Sequence, residues 1–364
     1  MKKKNILFLH NKRMSGLPPF LALIDYLLST NKYNISVISS EFDKEIHNIY
    51  LSKGVKIIHY YSLEPRKGIL SRIRNRFKLE FVFSYRTPKD AKRIDYDILW
   101  VVSERTAVKI PRFLSGKKYI LSTYELNDRY PKFLKKVAPL VSFAKVNVAC
   151  EYNRSQIMRV WFKLQKTPIV LPNKPFKHPL TKELPSKYAE KLKGKKIILY
   201  QGHLTRDRNL DGVCKAVSEI PEYTLVLMGD GGEYIDYLKD KYPSTVFINY
   251  IKAPFHLNIT SYARIGVVTY DYYSLNTIYC APNKIWEYSG FSIPMLANNI
   301  PGLKNTVEKF DAGVCIDMDN TESIKNAILT IEENYGDFSN NAKKMYDECD
   351  TGKIVDDVIE KYFD

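Results

Sequence analysis

The chain of 364 residues has no apolar run approaching the roughly 18–20 residues of a membrane span. Cysteine is scarce and scattered. Cys150, Cys214, Cys280, Cys315 and Cys349 form no CxxC pair and are odd in number, so neither a zinc site nor a disulfide framework is expected, and a reducing cytosol fits. In that compartment the sequons at Asn34, Asn153 and Asn258 carry no meaning. The GxGxxG, P-loop and HExxH signatures are missing. Asp95-Tyr96-Asp97 and Asp317-Met318-Asp319 are formally DxD, but carboxylate pairs alone are poor evidence for a metal, and both read as strand ends. Acid is sparse in the first half. Residues 1–180 hold 35 Lys and Arg against 13 Asp and Glu, a net charge of +22, whereas residues 181–364 hold 21 against 27, a net of −6.

What is present is an ordinary globular composition, 45% hydrophobic and 26% charged, at a length that suggests two domains. Halves of opposite sign suggest domains with different partners, and the basic one favours an anionic surface: phospholipid, a pyrophosphate-linked lipid, or nucleic acid. Lys2 to Lys4 precede apolar Ile6–Leu9 in the manner of a signal peptide. Four apolar residues fall short of a secretory core of about 7–15, so a first β-strand is expected there.

Short β-branched runs alternate with helical patterns. Strands are expected at Asn5–Leu9, Ile35–Ser39, Val55–His59, Ile98–Val102, Tyr119–Ser122, Val146–Ala149 and Ile169–Leu171. They are apolar nearly throughout, as parallel strands covered on both faces require. Helices are expected at Leu17–Ser29 and Asn153–Phe162. Pro172, Pro175, Pro179 and Pro185 mark a linker. The grammar then restarts, with strands at Lys195–Tyr200, Tyr223–Met228, Val246–Ile251, Ile265–Tyr270, Ile293–Ala297 and Gly313–Ile316, and helices at Asp211–Glu219, Thr321–Asn334 and Thr351–Phe363. The expectation is α/β: two facing Rossmann-like, doubly wound domains, 1–172 and 173–348, with the terminal helix 349–364 packed back on the first. Ligands of such sheets sit beyond the carboxyl ends of the strands, so the loops after Leu9, Leu121, Tyr200, Met228 and Tyr270 are expected to converge on an interdomain cleft.

Three loops of the second half carry chemistry. Gln201-Gly202-His203-Leu204-Thr205-Arg206-Asp207-Arg208-Asn209 combines a glycine that permits close approach with two arginines suited to phosphate; a solvated loop with surface arginines is the competing reading. Gly229-Asp230-Gly231-Gly232 either admits a nucleotide or is a plain turn. The segment from Tyr270 to Leu303 is the most informative. Pro282 opens a helix, Asn283 to Ser289, that Gly290 ends. Asn283 and Lys284 sit at its anion-attracting end, and Glu287 one turn later has the acceptor pair that suits a ribose diol.

This segment resembles the donor site of family-4 retaining glycosyltransferases, which have the GT-B fold. It runs Pro282-Asn283-Lys284-Ile285-Trp286-Glu287-Tyr288, then Gly290, Pro294 and Pro301-Gly302-Leu303. The loop from Tyr200 to Leu210 is similar to the same family's first donor-domain loop, and Leu171 to Pro175 to its linker entry. The resemblance implies that Glu287 binds the ribose hydroxyls and Arg208 the donor diphosphate. Two positions depart from the pattern. Tyr279 stands where the first glutamate of E-x7-E would be, and His203 where many members have arginine, so a second phosphate cation comes from Arg206 or Lys284 or is missing. By the same resemblance Gly16, in Ser15-Gly16-Leu17-Pro18, lies near the donor phosphates. Glu125 or Asp128, in Tyr124-Glu125-Leu126-Asn127-Asp128, faces the acceptor, unless that loop merely caps a helix. Val246–Ile251 and Lys252-Ala253-Pro254 line the base pocket by analogy.

Arg66 to Arg93 interleaves Arg72, Arg74, Arg76 and Lys78 with Ile73, Phe77, Phe81 and Phe83, and Tyr130 to Lys136 repeats the theme. Cations mixed with aromatics suit a bilayer interface; the alternative is a solvated helix whose apolar residues are core. The combined expectation is a cytoplasmic glycosyltransferase, peripheral at the inner membrane face. It would need no metal or cofactor beyond its nucleotide-sugar substrate, act on a lipid-linked oligosaccharide in surface polysaccharide biosynthesis, and not bind nucleic acid. The rivals are a GT-B sugar-nucleotide epimerase, which needs no acceptor, and a basic nucleic-acid-binding module, for which no reader motif is present.

Overall fold

The computed structural model describes residues 2–41, 43–61, 68–178 and 184–364. Arg66 of the basic segment and Pro179 of the linker lie outside them. The chain divides into two compact units. One comprises Met1–Pro172 with Thr351–Asp364, the other Asn173–Asp350. Each is a parallel sheet flanked by helices.

The first unit contains β1 (Lys4–His10), β2 (Tyr33–Glu41), β3 (Lys56–Tyr61), β4 (Ile98–Val102), β5 (Ile120–Thr123), β6 (Val146–Ala149) and β7 (Ile169–Val170). Their order is β3-β2-β1-β4-β5-β6-β7, all parallel. Alternation along β1 explains why the strand is apolar throughout. Ile6 and Phe8 enter one core layer, with the helix Pro18–Ser29 and with Val355, Val358, Ile359 and Tyr362 of the helix Thr351–Phe363. Leu7 and Leu9 enter the opposite layer, with Phe83, Tyr119 and Val141. Trp100 is fully buried and donates to Ser122 Oγ at 2.8 Å, which satisfies its indole N–H inside the core.

The second unit contains β8 (Lys196–Gln201), β9 (Tyr223–Gly229), β10 (Val246–Asn249), β11 (Ala263–Val268), β12 (Met295–Asn298) and β13 (Gly313–Ile316), in the order β10-β9-β8-β11-β12-β13, again parallel. Two strands end sooner than their apolar runs suggest. β11 stops at Val268 because the Tyr270 N–H is taken by the Asn298 side chain, at 2.6 Å, instead of a neighbouring strand. β10 stops at Asn249, and the chain turns through the cis Ala253–Pro254 bond into a short helix, Leu257–Thr260.

The order of each sheet reverses direction once, between β1 and β4 and between β8 and β11. A doubly wound sheet opens a crevice at that point, outside the carboxyl ends of the two strands. In the second unit the helix Asn283–Ser289 is fixed beside it, with residues 284–289 all buried. Tyr288 reaches across the sheet and donates to the Leu199 carbonyl at 2.9 Å. Its ring lies so close to Gly266 that a Cβ there would stand 2.3 Å from it. Gly290 is required for a similar reason, since a Cβ would meet the His178 imidazole at 2.2 Å. Gly266→Ala is therefore expected to displace Tyr288, lowering unfolding stability by about 1–3 kcal/mol and weakening any ligand held by the helix Asn283–Ser289; denaturant unfolding with a parallel binding assay reads both.

Candidate active site

At the crevice between β8 and β11 the second unit gathers two cations, neither hydrogen-bonded to an anion among the described residues. Arg208 closes a 3-10 turn, Arg206–Arg208, and its side chain is 19% exposed. Its guanidinium carbon stands 4.2 Å from the centre of the Tyr270 ring, and its nearest carboxylate, Asp207, is 3.7 Å from Nε. Nη1 is buried without a hydrogen-bond partner. Burial disfavours its charge, but the Tyr270 and Tyr200 hydroxyls and Asp207 outweigh that and hold its pKa above the ordinary value.

Lys284 is 7% exposed and makes no hydrogen bond or ion pair among the described residues. Its Nζ lies 3.9 Å from the Tyr200 ring centre and 5.6 Å from that of Tyr270. Burial, reinforced by the Arg208 charge, pulls its pKa down to about 7. A buried cation normally has a partner or loses its proton. Lys284 and the partly buried Arg208 share the Tyr270 ring at the mouth of a parallel sheet, an arrangement suited to an anion. Gly202 gives the backbone of that mouth its shape. It adopts φ +131°, and a Cβ there would stand 3.4 Å from Lys284 Nζ.

Glu287 is buried one helical turn beyond Lys284. His256 Nε2 donates to its Oε1 at 3.0 Å, and Gln201 Nε2 donates to Oε2. Thr260 Oγ1 in turn donates to Gln201 Oε1 at 2.6 Å. Burial raises the Glu287 pKa, but the charge and hydrogen bond of His256, with Gln201, overcome it and leave the carboxyl below its ordinary value. The backbone carbonyl of Glu287 accepts from His178 Nε2 at 2.9 Å. Both carboxylate oxygens thus face N–H donors, an arrangement that hydroxyl groups of a ligand can join or replace.

The other positions named from the sequence are distributed around this centre. Arg206 is exposed and stacks on Tyr234 and Tyr237, 5.2 and 5.3 Å from the ring centres. Lys284, not Arg206, is the cation beside Arg208. Arg206→Ala is accordingly expected to change nucleotide affinity less than about threefold, within the small effects of exposed substitutions, whereas Arg208→Ala removes a charged contact; parallel titrations of the two variants measure the difference. His203 is exposed and pairs with Asp230 at 2.7 Å. Gly229 serves the protein itself, because a Cβ would overlap the Gly202 carbonyl, and the bonds Gly202 N–Met228 O and Leu204 N–Asp230 O join the two loops. Asn283 and Tyr279 are half-buried. The loop leading to Tyr279 is stiffened by a reciprocal cap between Ser274 and Thr277, and a Cβ on Gly302 would stand 2.7 Å from the Cys280 backbone nitrogen, so the close approach there requires glycine.

In the first unit Gly16 lies in the 3-10 turn Met14–Gly16, where a Cβ would meet nothing nearer than 3.5 Å, so the fold does not itself demand glycine there. Glu125 is half-exposed, 3.8 Å from the buried Arg154. Asp128 is also half-buried. The crevice between β1 and β4 is lined by residues that the sequence did not single out. His10 is buried, and burial pulls its pKa down to about 4, so it is neutral at pH 7. Glu104 is buried, accepts from Asn127 Nδ2 at 3.1 Å and from the Tyr124 N–H at 3.2 Å, and is pushed up in pKa, first by burial. Gln201 opens the arginine-bearing loop without a role of its own in the sequence, and no spacing links it or His256 to Glu287. Among the described residues no group of three or more His, Cys, Asp or Glu is arranged to hold a metal ion. Asp97 accepts from the Asn5 N–H at 2.7 Å, and Asp317 from the Asp319 N–H at 3.2 Å, so each carboxylate ties down local backbone.

No curated protein matches the sequence. Solved structures that resemble the chain along nearly its whole length include the following three. HepE from Anabaena, in complex with UDP and glucose, is 16% identical over 98% of each chain, with a TM-score of 0.74. A glycosyltransferase from Rickettsia africae is 14% identical over 100% of this chain and 98% of its own, with a TM-score of 0.72. Sucrose-phosphate synthase from Thermosynechococcus elongatus is 14% identical over 99% and 97%, with a TM-score of 0.66. At such identities the likeness is one of fold, the paired Rossmann-like units of GT-B glycosyltransferases. Residues 182–346, which carry Arg208, Lys284 and Glu287, match the family model of glycosyl transferases group 1.

Proposed function

We propose that this chain is a retaining, metal-independent glycosyltransferase that moves a sugar from a nucleoside diphosphate sugar to a lipid-linked saccharide during surface polysaccharide assembly, at the cytoplasmic face of the membrane. The observation that carries the donor half of this reading is the buried Lys284 and the partly buried Arg208, neither hydrogen-bonded to an anion among the described residues, beside Glu287. The matched family model over the same residues supports a transferase, and the UDP bound by HepE makes UDP the first nucleotide to test.

In the proposed reaction the bond between the anomeric carbon and the diphosphate oxygen breaks, and negative charge grows on the leaving diphosphate. Arg208 and Lys284 stabilise that charge from fixed positions, the arrangement in which electrostatic stabilisation is most effective. Glu287 accepts from the ribose hydroxyls. The acceptor oxygen attacks from the face the diphosphate leaves, and its proton passes to that diphosphate, so no covalent intermediate on the protein is required. Glu125 orients the acceptor hydroxyl. The basic first half and the aromatic-cationic segment within it support a lipid-linked acceptor at an anionic surface.

The reading predicts release of free nucleoside diphosphate only when acceptor is present, in EDTA, with loss of release in Arg208→Ala and Glu287→Ala. Conversion of the donor without acceptor would instead indicate an epimerase, and full activity in both variants would remove the assigned site.

A further inference from the structure

The segment 69–91 is one continuous helical rod, α-helical over Ile69–Phe77, a π turn over Lys78–Val82, and α-helical again over Phe83–Ala91. Its two faces are built on the same four-residue step, offset by two. Ser71, Asn75, Phe83, Thr87 and Ala91 are buried, and Phe83 and Ala91 belong to the core against Leu7 and Leu9. Ile69, Ile73, Phe77, Phe81 and Tyr85 form the opposite series and are 56–74% exposed, with Leu70 beside them at 74%. Phe77 and Phe81 touch, their ring centres 5.1 Å apart. A four-residue step overshoots an α-helical turn by about 0.4 residue, which would carry such a stripe round the axis. The wider π turn takes up that overshoot midway and keeps the stripe facing outward.

Single exposed apolar residues are unremarkable, but an unbroken stripe of five with Leu70 beside it on one helix marks an interaction surface. The charges beside it identify the partner. Arg72, Arg74, Arg76, Arg86 and Lys89 are exposed along the same rod, with Lys78 half-buried. Residues 1–180, which include them, have a net charge of +22. A protein partner with an apolar groove would not need that excess, whereas an anionic bilayer offers hydrocarbon to the phenylalanines and phosphate to the arginines at one boundary. No helix among the described residues is long and apolar enough to cross a membrane, so the rod lies on the surface.

We infer that the helix 69–91 is an interfacial anchor that seats Ile73, Phe77 and Phe81 in the outer part of an anionic leaflet. The inference deepens the proposed membrane-bound acceptor and rests on that reading for its purpose, while its geometry stands alone.

The test is flotation of the full chain with vesicles of phosphatidylcholine, with and without phosphatidylglycerol. Binding is expected only with the anionic lipid and is expected to weaken with salt. Phe77→Asp with Phe81→Asp should reduce partitioning by at least about tenfold. Arg72→Gln with Arg76→Gln should reduce it by about fivefold for each cation removed. These positions are exposed, so the variants should keep their melting temperatures, and a Phe77→Trp reporter should shift to the blue on binding. No flotation at low salt, or flotation unaffected by the phenylalanine pair, would overturn the inference. Loss of self-association in the same variants without vesicle binding would also overturn it, in favour of a second copy of the chain. Nucleotide binding measured on the same preparations separates failure of the anchor from failure of the donor site.

Discussion

Lys284→Met is expected to stabilise the ligand-free protein and, at the same time, to weaken nucleoside diphosphate binding by roughly 10–100-fold, the worth of one charged hydrogen bond. Both effects have one cause. The Lys284 ammonium is buried beside Arg208 and makes no hydrogen bond or ion pair among the described residues. Its pKa of about 7 in the folded protein, against 10.5 when solvated, means that the unfolded chain binds the proton more tightly. The penalty is at most about 5 kcal/mol. It applies in full below pH 7, shrinks as pH rises from 7 towards 10.5, and is absent above that. Methionine has a similar shape and no charge, so the gain in melting temperature should be several degrees near pH 6 and fade by pH 10.

The same titration predicts how the ligand binds. A diphosphate restores the charge on Lys284, so binding above pH 7 takes up a proton. Affinity should fall between pH 7.5 and 9, where the ligand no longer titrates, by up to about tenfold per unit. In Lys284→Met that slope should vanish. A slope unchanged in the variant would assign the proton to another group.

Glu287→Ala is expected to act in the opposite sense on stability. It leaves the buried Gln201 and the largely buried His256 side chains without their shared acceptor. Leaving buried hydrogen-bonding groups unpaired costs about 1–3 kcal/mol. The melting temperature should drop and ribonucleotide binding should be lost. Glu287→Gln separates the two consequences. It keeps the volume and one acceptor, so much of the fold stability should survive, while discrimination for a ribose diol over a 2′-deoxyribose weakens. Because the folded pKa of Glu287 is depressed, its contribution is present above the unfolded carboxyl pKa and disappears as pH falls below about 4. An acid melt of wild type against Glu287→Gln should therefore converge at low pH.

The fold class could be read from the sequence because a parallel strand covered on both faces leaves an apolar run in the chain. Ile98–Val102, Val146–Ala149 and Gly313–Ile316 occur as strands at the residues expected. Where expectation and structure differ, a side chain or a turn intervenes, as Asn298 does at Tyr270 and the Ala253–Pro254 bend does after Asn249. In the candidate site the sequence named Arg208, Lys284 and Glu287 but left open which cation stands with Arg208. Spacing says that Arg206 is in the loop; only the fold shows it turned onto Tyr234 and Tyr237. Gln201 and His256 reach Glu287 from sequence separations of 86 and 31 residues, which no local pattern records. The apolar stripe on the helix 69–91 was hidden differently. The sequence showed cations and aromatics mixed, but which aromatics face outward depends on a π turn that composition does not reveal.

The central claim is that Arg208, Lys284 and Glu287 form one nucleoside diphosphate site, and calorimetric titration of UDP, GDP, CDP and dTDP in EDTA tests it most directly. The predicted result is saturable binding of one ribonucleotide, with proton uptake at pH 8, a loss of at least about tenfold in Arg208→Ala, and near-normal binding in Arg206→Ala. Binding that survives both Arg208→Ala and Glu287→Ala, or no binding of any of the four, would contradict it.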